Sequence, residues 1–461
     1  MLGWLELSSG RRLALFIAIT AAAGAVTLMI PADVELADDA RRALFILLLA
    51  AGLWLTETIP AFAVGILVIA LQVLLLGRPT SEAGDWERHV LVLGHPLIWL
   101  FFGGLVLAAG MSRTGVDQWL AARALSRFAD RPRHMVAAVA AIAFVLSMIM
   151  SNTATTAMML ALIAPLIAGR PRDDRFATTL ILAVAVGANL GGMGSLVGTP
   201  PNAIAAATLG DQAGAGISFA RWFAIGLPPA LLLALILIGV LLLRLGRTGI
   251  PGERLKVPAP DSGPQVPHWE TLVVVVTLAT TLGLWLSQDL HGLPTPVVAV
   301  VPVVLLTATG ILDVDAFRRL SYDVLFLIAG GLALGQAIQD TGLAAWLVAQ
   351  VADDALPLAW FAVLSGFAAV VLSNVMSNTA AANVLVPLTL TATGDTATVL
   401  TVALCASAAM ALPVATPPNA LAHATGRIHA RDFLALGLIC GLLAPPLTAA
   451  WTRLVTPLVL G

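Results

Sequence analysis

The amino-acid sequence predicts an all-α protein that crosses a membrane about eleven times and carries two re-entrant hairpins, arranged as inverted repeats. Three observations carry that expectation. The chain has 461 residues, of which 59% are hydrophobic and 11% charged, with a mean hydropathy of +0.95. A soluble domain carries roughly 25% charged residues, so this chain lacks the charge to cover a wet surface. Apolar stretches of about 20 residues, the length that spans the hydrocarbon, recur along it. They are continuous rather than alternating, which excludes a lipid-facing barrel. Finally, a series of short motifs in the first half returns in the same order in the second.

The formal net charge of -2 says little about partners, and the distribution of charge says more. Cys405 and Cys440 are the only cysteines, both in apolar stretches, and read as small packing residues rather than a disulfide or metal pair. Arg11 and Arg12 precede the first apolar run, and no small-residue cleavage pattern follows. That run reads as an uncleaved first span rather than a signal peptide.

In order, apolar segments lie at about 12–30, 42–57, 60–77 and 96–112. The stretch 116–130 keeps apolar residues at helical spacing (Val116, Trp119, Leu120, Ala124, Phe128) with charge opposite, which suits a helix lying in the membrane interface. Segment 134–169 is apolar but holds Ser151-Asn152-Thr153 at its middle. Those residue types favour caps and turns, so the segment reads as a hairpin with the patch at its tip. Such irregular backbone at membrane depth must be buried in protein or line a cavity. Segment 174–210 contains Pro200-Pro201, which precludes a continuous helix. A further span covers about 219–243, and the polar, Pro/Gly-rich stretch 244–268 links the halves.

The second half repeats this order. Leu53-Trp54-Leu55 corresponds to Leu284-Trp285-Leu286, and Gly103-Gly104-Leu105 to Gly330-Gly331-Leu332. Gly115 before Trp119-Leu120 corresponds to Gly342 before Trp346-Leu347. Ser147-Met148-Ile149-Met150-Ser151-Asn152-Thr153 corresponds to Ser373-Asn374-Val375-Met376-Ser377-Asn378-Thr379, followed at matching intervals by Pro165 and Pro387. Gly198-Thr199-Pro200-Pro201-Asn202 corresponds to Ala415-Thr416-Pro417-Pro418-Asn419. The second-half segments are about 269–288, 294–311, 322–340, an interfacial 342–354, a hairpin 357–392, a broken span 395–426 and a last span 431–458.

Basic residues set the expected orientation. Arg123, Arg127, Arg131 and Arg133 precede the first hairpin, and Arg170, Arg172 and Arg175 follow it. The second hairpin is flanked instead by Asp340, Asp353, Asp354 and Asp395. The first hairpin is therefore expected to enter from the cytoplasm and the second from outside. Arg244, Arg247, Arg254 and Lys256 place the linker in the cytoplasm, with the N-terminus inside and the C-terminus outside an inner membrane.

A lone Ser or Thr in a membrane helix is ordinarily a packing residue bonded to its own backbone, and a lone Pro-Pro a kink. Two inverted copies of the whole set argue instead for a binding site at the repeat interface. Neither motif holds Lys or Arg. Helix N-termini, hydroxyls and the amides of Asn152 and Asn378 can hold an anion. Carbonyls freed at Gly198 and Ala415, with hydroxyl and amide oxygens, can hold a hard cation such as Na⁺, which supplies the missing positive charge. Each ion then stabilises the other. Proton coupling ordinarily uses an intramembrane carboxylate or histidine, and the motifs contain none.

The doubled Ser-Asn-Thr, the doubled Thr-Pro-Pro-Asn and Trp54-Leu55-Thr56-Glu57-Thr58-Ile59-Pro60 resemble the divalent anion/sodium symporter family over nearly the whole chain. That family contains dicarboxylate, citrate and sulfate carriers. The resemblance implies a homodimer of elevator-type carriers. Residues 1–112 and 269–341 would form the scaffold, 113–133 and 342–356 the arm helices, 134–243 and 357–461 the transport domain, and 244–268 the cytoplasmic linker.

By the same resemblance, substrate carboxylates would meet Asn152, Thr153, Thr199, Ser377, Asn378, Thr379, Thr416 and Pro417. One Na⁺ would sit near Ser147, Ser151, Asn152 and Gly198, and another near Ser373, Asn378 and Ala415. Ala161 departs from the family pattern, which often has a proline there, but lies outside the tip.

The expected function is Na⁺-coupled symport of a C4-dicarboxylate such as succinate, malate or fumarate. The expected partners are that anion, Na⁺, the lipid bilayer and a second copy of the chain, with no nucleic acid. A sulfate or citrate carrier and a Na⁺-independent exchanger are rivals within the class. An intramembrane enzyme would need a base in register with Ser151 or Ser377, and neither hairpin carries a His there. A channel would need a continuous polar face, whereas polarity here is confined to two midpoints. Glu57 reads as a cap or pair at a span end, and Asp289 and Asn383 as structural. His89, His95, His268, His291 and His429 lie in or near predicted loops, His423 follows Thr-Pro-Pro-Asn as a neighbour of the site, and the eleven tryptophans suit interfacial belts and arm helices better than a stacking site.

Overall fold

The computed structural model describes residues 9–31, 36–77, 86–128, 131–213, 216–246, 266–349 and 356–460. Arg247, Arg254, Lys256, Asp353 and Asp354, used above to orient the chain, lie outside the described residues, as do 247–265 of the linker. Every regular element described is helical.

In the first half these are α1 (Ser9–Met29), α2 (Asp38–Thr56), α3 (Ala61–Leu75), α4 (Glu87–Leu91), α5 (Pro96–Thr114) and α6 (Val116–Ser126). They are followed by α7 (Pro132–Ser147), α8 (Asn152–Ile167), α9 (Arg175–Met193), α10 (Pro200–Ala213) and α11 (Phe219–Leu245). The second half has α12 (His268–Leu286), α13 (Gln288–His291), α14 (Thr295–Val298), α15 (Val300–Ala308), α16 (Val314–Arg318), α17 (Tyr322–Asp340) and α18 (Leu343–Ala349). It closes with α19 (Leu358–Val375), α20 (Asn378–Thr393), α21 (Thr396–Ala408), α22 (Pro417–Ala424) and α23 (Ala430–Val459).

Among the described residues eight helices are long and apolar enough to cross a membrane, and five further apolar helices are shorter. The shortfall from eleven has local causes. The stretch 294–311 divides into α14 and α15, the second broken span leaves α21 with 13 residues before its motif, and α2 carries Asp38, Asp39, Arg41 and Arg42, whereas α19, an arm of the second hairpin, is among the eight. α3 has 15 residues, about 22 Å of helix.

The repeats pack crosswise. α3 lies against α17, and α5, the first-half counterpart of α17, lies against α15. The paired glycines explain how the backbones come so close. A Cβ on Gly330 would collide with the backbone of Gly65, and one on Gly103 with the Ala299 carbonyl. Small residues at such crossings are how membrane helices gain packing energy without a hydrophobic driving force. The Leu-Trp-Leu motif serves a matching purpose in each half. Trp54 Nε1 donates to Ala61 O at 3.1 Å, and Trp285 Nε1 donates to Thr295 O at 3.0 Å. Each indole thus ties the end of one helix to the start of a later one, α2 to α3 and α12 to α14.

The tryptophan expectation therefore needs correction. Trp54, Trp222 and Trp285 are fully buried and bonded to backbone carbonyls. Composition alone cannot separate an interfacial indole from one whose N–H finds a carbonyl partner inside the protein. His89 is buried in the five-residue helix α4.

In a second group α7 lies against α9, and α19 against α21, again as counterparts. α9 is buried along its whole length from Phe176 to Met193, and α21 from Ala397 to Ala408. A helix apolar all round belongs in the interior, and these two form the centre on which the motif-bearing segments pack.

Candidate functional site

Both Ser-Asn-Thr motifs break the chain where the sequence places the turn. α7 ends at Ser147 and α8 starts at Asn152, and α19 ends at Val375 and α20 starts at Asn378. The motif serine is the N-cap in both copies. Ser151 is extended (φ -62, ψ 145) and accepts from Ala154 N at 3.2 Å. Ser377 is extended (φ -66, ψ 148) and accepts from Ala380 N at 3.2 Å. Serine is chosen here because its short oxygen reaches back to an unpaired helix N–H. Ser151 thus directs its hydroxyl to the α8 backbone.

The Thr-Pro-Pro-Asn motifs start helices too. α10 begins at Pro200 and α22 at Pro417, each after a non-helical passage from α9 or α21. The sequence motif shows why: proline has the φ of a first helical turn and no N–H to leave unpaired. Thr416 caps α22, accepting from Asn419 N at 3.3 Å. Four helices therefore start at the four motifs, at Asn152, Pro200, Asn378 and Pro417. Thr199, Thr379 and Thr416 are buried, Asn152 and Asn378 half-buried, and Thr153 and Pro417 exposed.

The first repeat gathers a tight group of oxygens. The Asn152 carboxamide faces Ser147 Oγ at 2.6 Å, Ala188 O at 3.3 Å and Gly198 O at 3.3 Å. Ser147 Oγ also donates to Ala188 O at 2.7 Å. With its nitrogen inward the amide donates to all three oxygens. The Ser147 hydroxyl and the Ala188 and Gly198 carbonyls that the amide gathers form a cage of hard oxygens, the donor type that suits a hard cation. Gly192 lines this cage so closely that a Cβ there would sit 2.7 Å from Asn152 Oδ1. Ser147, Asn152 and Gly198, named from sequence, are brought together here. The Ala188 carbonyl joins them unannounced.

The second repeat presents the same residue types in a different state. Ser373 Oγ and Asn378 Oδ1 are both buried without a hydrogen-bond partner. Ala415 is buried nearby in sequence to Thr416, its N–H bonded to Leu412 O at 3.1 Å. A buried hydroxyl and a buried amide oxygen left unsatisfied are costly unless something charged or polar meets them. They fit a cation in chemistry.

Three asparagines that sequence reasoning left without a role hold the two breaks in shape. Asn202 Nδ2 donates to Gly192 O at 2.9 Å and Ser195 O at 2.7 Å. Asn419 Nδ2 donates to Met410 O at 2.8 Å and Leu412 O at 2.9 Å. The last residue of Thr-Pro-Pro-Asn is therefore a staple across the non-helical passage before it. Asn374 fastens the second hairpin to the second break by accepting from Ala411 N at 2.7 Å. At the matching place in the first repeat, Ser195 Oγ donates to Met148 O. The duplicated motif itself was the signal for Asn202 and Asn419.

The repeats meet close to the cage. Asn189, next to Ala188, donates to Asn419 Oδ1 at 3.0 Å, and α8 packs against α22 while α20 packs against α10. Ser377 lines a separate cavity of about 300 Å³ with Thr56, Glu57 and Thr58. Glu57 is the C-cap of α2, at φ 49 and ψ 32. It is the one non-glycine with positive φ among the described residues, a conformation that costs energy and needs surrounding structure to hold it. His423 does not turn a free ring to the motif: its Nδ1 lies 2.8 Å from Ile428 O.

Comparison with known proteins adds the following. The family model described as citrate transporter matches residues 44–408. The chain is 28% identical over 445 residues to the sodium-dependent dicarboxylate transporter SdcS of Staphylococcus saprophyticus, covering 88% of this chain and 84% of that protein. It is 27% identical over 450 residues to the SdcS of Staphylococcus aureus, with the same shares covered. Among solved structures, the Alcanivorax borkumensis YdaH transporter superimposes with a TM-score of 0.53 at 14% identity, covering 87% of this chain and 99% of that one. That likeness speaks for the fold alone.

Proposed function

The chain belongs to the citrate-transporter family, with divalent anion/sodium symporters among its relatives, and on that premise we propose Na⁺-coupled symport of a small divalent anion as its function. A C4-dicarboxylate such as succinate, malate or fumarate is the substrate we favour. The protein is a multi-pass membrane transporter and not an enzyme. The observation that carries the Na⁺ reading is the oxygen group around Asn152: Ser147 Oγ, Ala188 O and Gly198 O. The unpaired Ser373 Oγ and Asn378 Oδ1 repeat its chemistry in the second half. The names of the SdcS relatives support both the ion and the dicarboxylate.

In this reading one Na⁺ is held by Ser147, Asn152 and Gly198, with Ser151 close by, and a second by Ser373, Asn378 and Ala415. The dianion lies between the hairpin tips, taking hydrogen bonds from Asn152, Thr153, Thr199, Ser377, Asn378, Thr379 and Thr416, with Pro417 against it. The fields of the helix N-termini at these motifs favour a negative charge. Bound cations cancel the charge of the dianion, which is expensive to carry bare through a low-dielectric barrier. The crosswise pairs α3–α17 and α5–α15 support a scaffold of 1–112 and 269–341, and α7–α9 with α19–α21 support a moving transport domain. Movement of that domain past the scaffold, in a dimer, is the elevator scheme we propose.

The test is uptake of labelled succinate into proteoliposomes with an inward gradient of Na⁺, K⁺ or choline. Uptake driven by Na⁺ alone is expected. Equal uptake in all three would overturn symport. The family description favours one second reading, citrate, and competition by unlabelled citrate but not malate would establish it.

A further inference from the structure

Away from the motifs, the ends of three helices enclose a strongly basic cleft. A cavity of about 390 Å³ lies between the start of α9, the end of α11 and the turn into α23. Four arginines line it, Arg175, Arg244, Arg427 and Arg431, against two carboxylates, Asp173 and Asp432. All three helices are long and apolar enough to span a membrane, so their ends lie at headgroup depth.

The four guanidinium groups are not equally committed. Arg244 Nη2 donates to Asp432 Oδ1 at 2.7 Å, and Asp432 Oδ2 accepts from His429 N at 2.9 Å. Arg427 donates to Pro171 O at 2.8 Å, Arg170 O at 3.2 Å and Ile167 O at 3.3 Å, the carbonyls that follow and close α8. Arg175 and Arg431 have no ion pair or side-chain hydrogen bond among the described residues. The first two arginines thus build the walls, and the second two bring charge into the cleft without a protein partner. Like charges gathered at one concave site repel unless an anion joins them.

We propose that this cleft is a binding site for a phosphate-type oxyanion, supplied by the headgroup of an anionic lipid or by soluble phosphate. Guanidinium forks match a tetrahedral oxyanion in shape and charge. Basic pockets between spanning helices on the cytoplasmic side are the ordinary seat of anionic headgroups, and the arginine pattern puts this end of the bundle there. The bound anion ties together the segment that follows the first hairpin, the end of α11 and the turn into α23. It acts as a fastener on those elements and is separate from the transported anion.

The test compares purified wild type with Arg175→Gln/Arg431→Gln at fixed ionic strength. Thermal midpoints are measured against inorganic phosphate in detergent, and in nanodiscs of phosphatidylglycerol against phosphatidylcholine. Wild type is expected to gain several degrees from at least one source, and the double variant to need at least tenfold more phosphate or to lose the lipid effect. A response to phosphatidylglycerol alone identifies the headgroup as the source, and a response to phosphate alone the soluble ion. Arg172→Gln, outside the cleft, should respond like wild type. If the double variant fails to fold, Arg431→Gln, at an exposed position, carries the comparison. An unchanged response in the variant, or none from either source in wild type, overturns the site.

Discussion

Asn189 and Asn419 stand 230 positions apart in sequence, yet the amide nitrogen of the first donates to the amide oxygen of the second at 3.0 Å. One partner adjoins a cage carbonyl and the other staples the opposite break, so the two repeats are fastened at the region they are proposed to share.

Removing the two ends should not cost the same. Asn419→Ala also abandons the carbonyls of Met410 and Leu412, and is expected to lower stability by roughly 2–3 kcal/mol. Asn189→Ala gives up one hydrogen bond and is expected to cost about 1 kcal/mol. Thermal midpoints of the two purified variants check the order, and equal losses would contradict it.

The motif serines offer a contrast between holding the fold and holding an ion. Ser147 Oγ donates to Ala188 O, whereas Ser373 Oγ has no partner. Ser147→Ala should cost about 1–2 kcal/mol of stability in the absence of Na⁺. Ser373→Ala should leave that stability unchanged or slightly higher. Each is expected to raise the Na⁺ concentration for half-maximal uptake about tenfold, equivalent to ~1.4 kcal/mol. Unaltered Na⁺ dependence in Ser373→Ala would argue against a second ion there.

The glycine pairs should respond unequally. A Cβ on Gly331 would collide with the Asn383 carboxamide, while one on its counterpart Gly104 would meet Val197 at an ordinary 3.6 Å. Gly331→Ala is expected to cost ~1–3 kcal/mol through overpacking, and Gly104→Ala much less. Adding Asn383→Ala to Gly331→Ala should recover part of the loss, readable as a non-additive midpoint shift in the double variant.

Asp117 links stability to pH at the start of α6. It is 1% exposed. Burial pushes its carboxyl above the ordinary value, opposed in part by hydrogen bonds from Gln118 N and Ser112 Oγ. The folded protein therefore holds this proton more tightly than the unfolded chain. The resulting stabilisation is full below the ordinary carboxylate value and fades as pH rises through the raised one. Asp117→Asn is thus expected to be the more stable protein at pH 7. The advantage should shrink as pH falls towards about 4, in thermal midpoints measured across that range.

Much of this architecture was legible because its determinants are local. Ser151 and Ser377 announce caps, Pro200-Pro201 announces a break, and their order in the chain exposes the repeat. The glycine pairs could be matched by sequence, but not the backbones of Gly65 and Ala299 that they meet. The Ala188 carbonyl was invisible, because every residue has a carbonyl and only the fold decides where it points. The staple formed by Asn419 needs acceptors at Met410 and Leu412, whose side chains carry no hint of it. Trp54, Trp222 and Trp285 went the wrong way in the sequence reading. Whether an indole faces lipid headgroups or a buried carbonyl depends on neighbours that composition does not record.

The segments 146–156, 189–202, 372–383 and 407–419 hold no Lys, Arg, His, Asp or Glu. This bears on membrane voltage. Moving one elementary charge across the membrane potential is worth about 2.3 kcal/mol per 100 mV. A carrier whose binding region has no fixed charge returns empty without doing that work, so its return step is blind to voltage. Any electrical signature of turnover then reports the ions a symporter carries, and the current divided by the anion flux gives the net charge per anion, which is the number of Na⁺ less the charge of the anion.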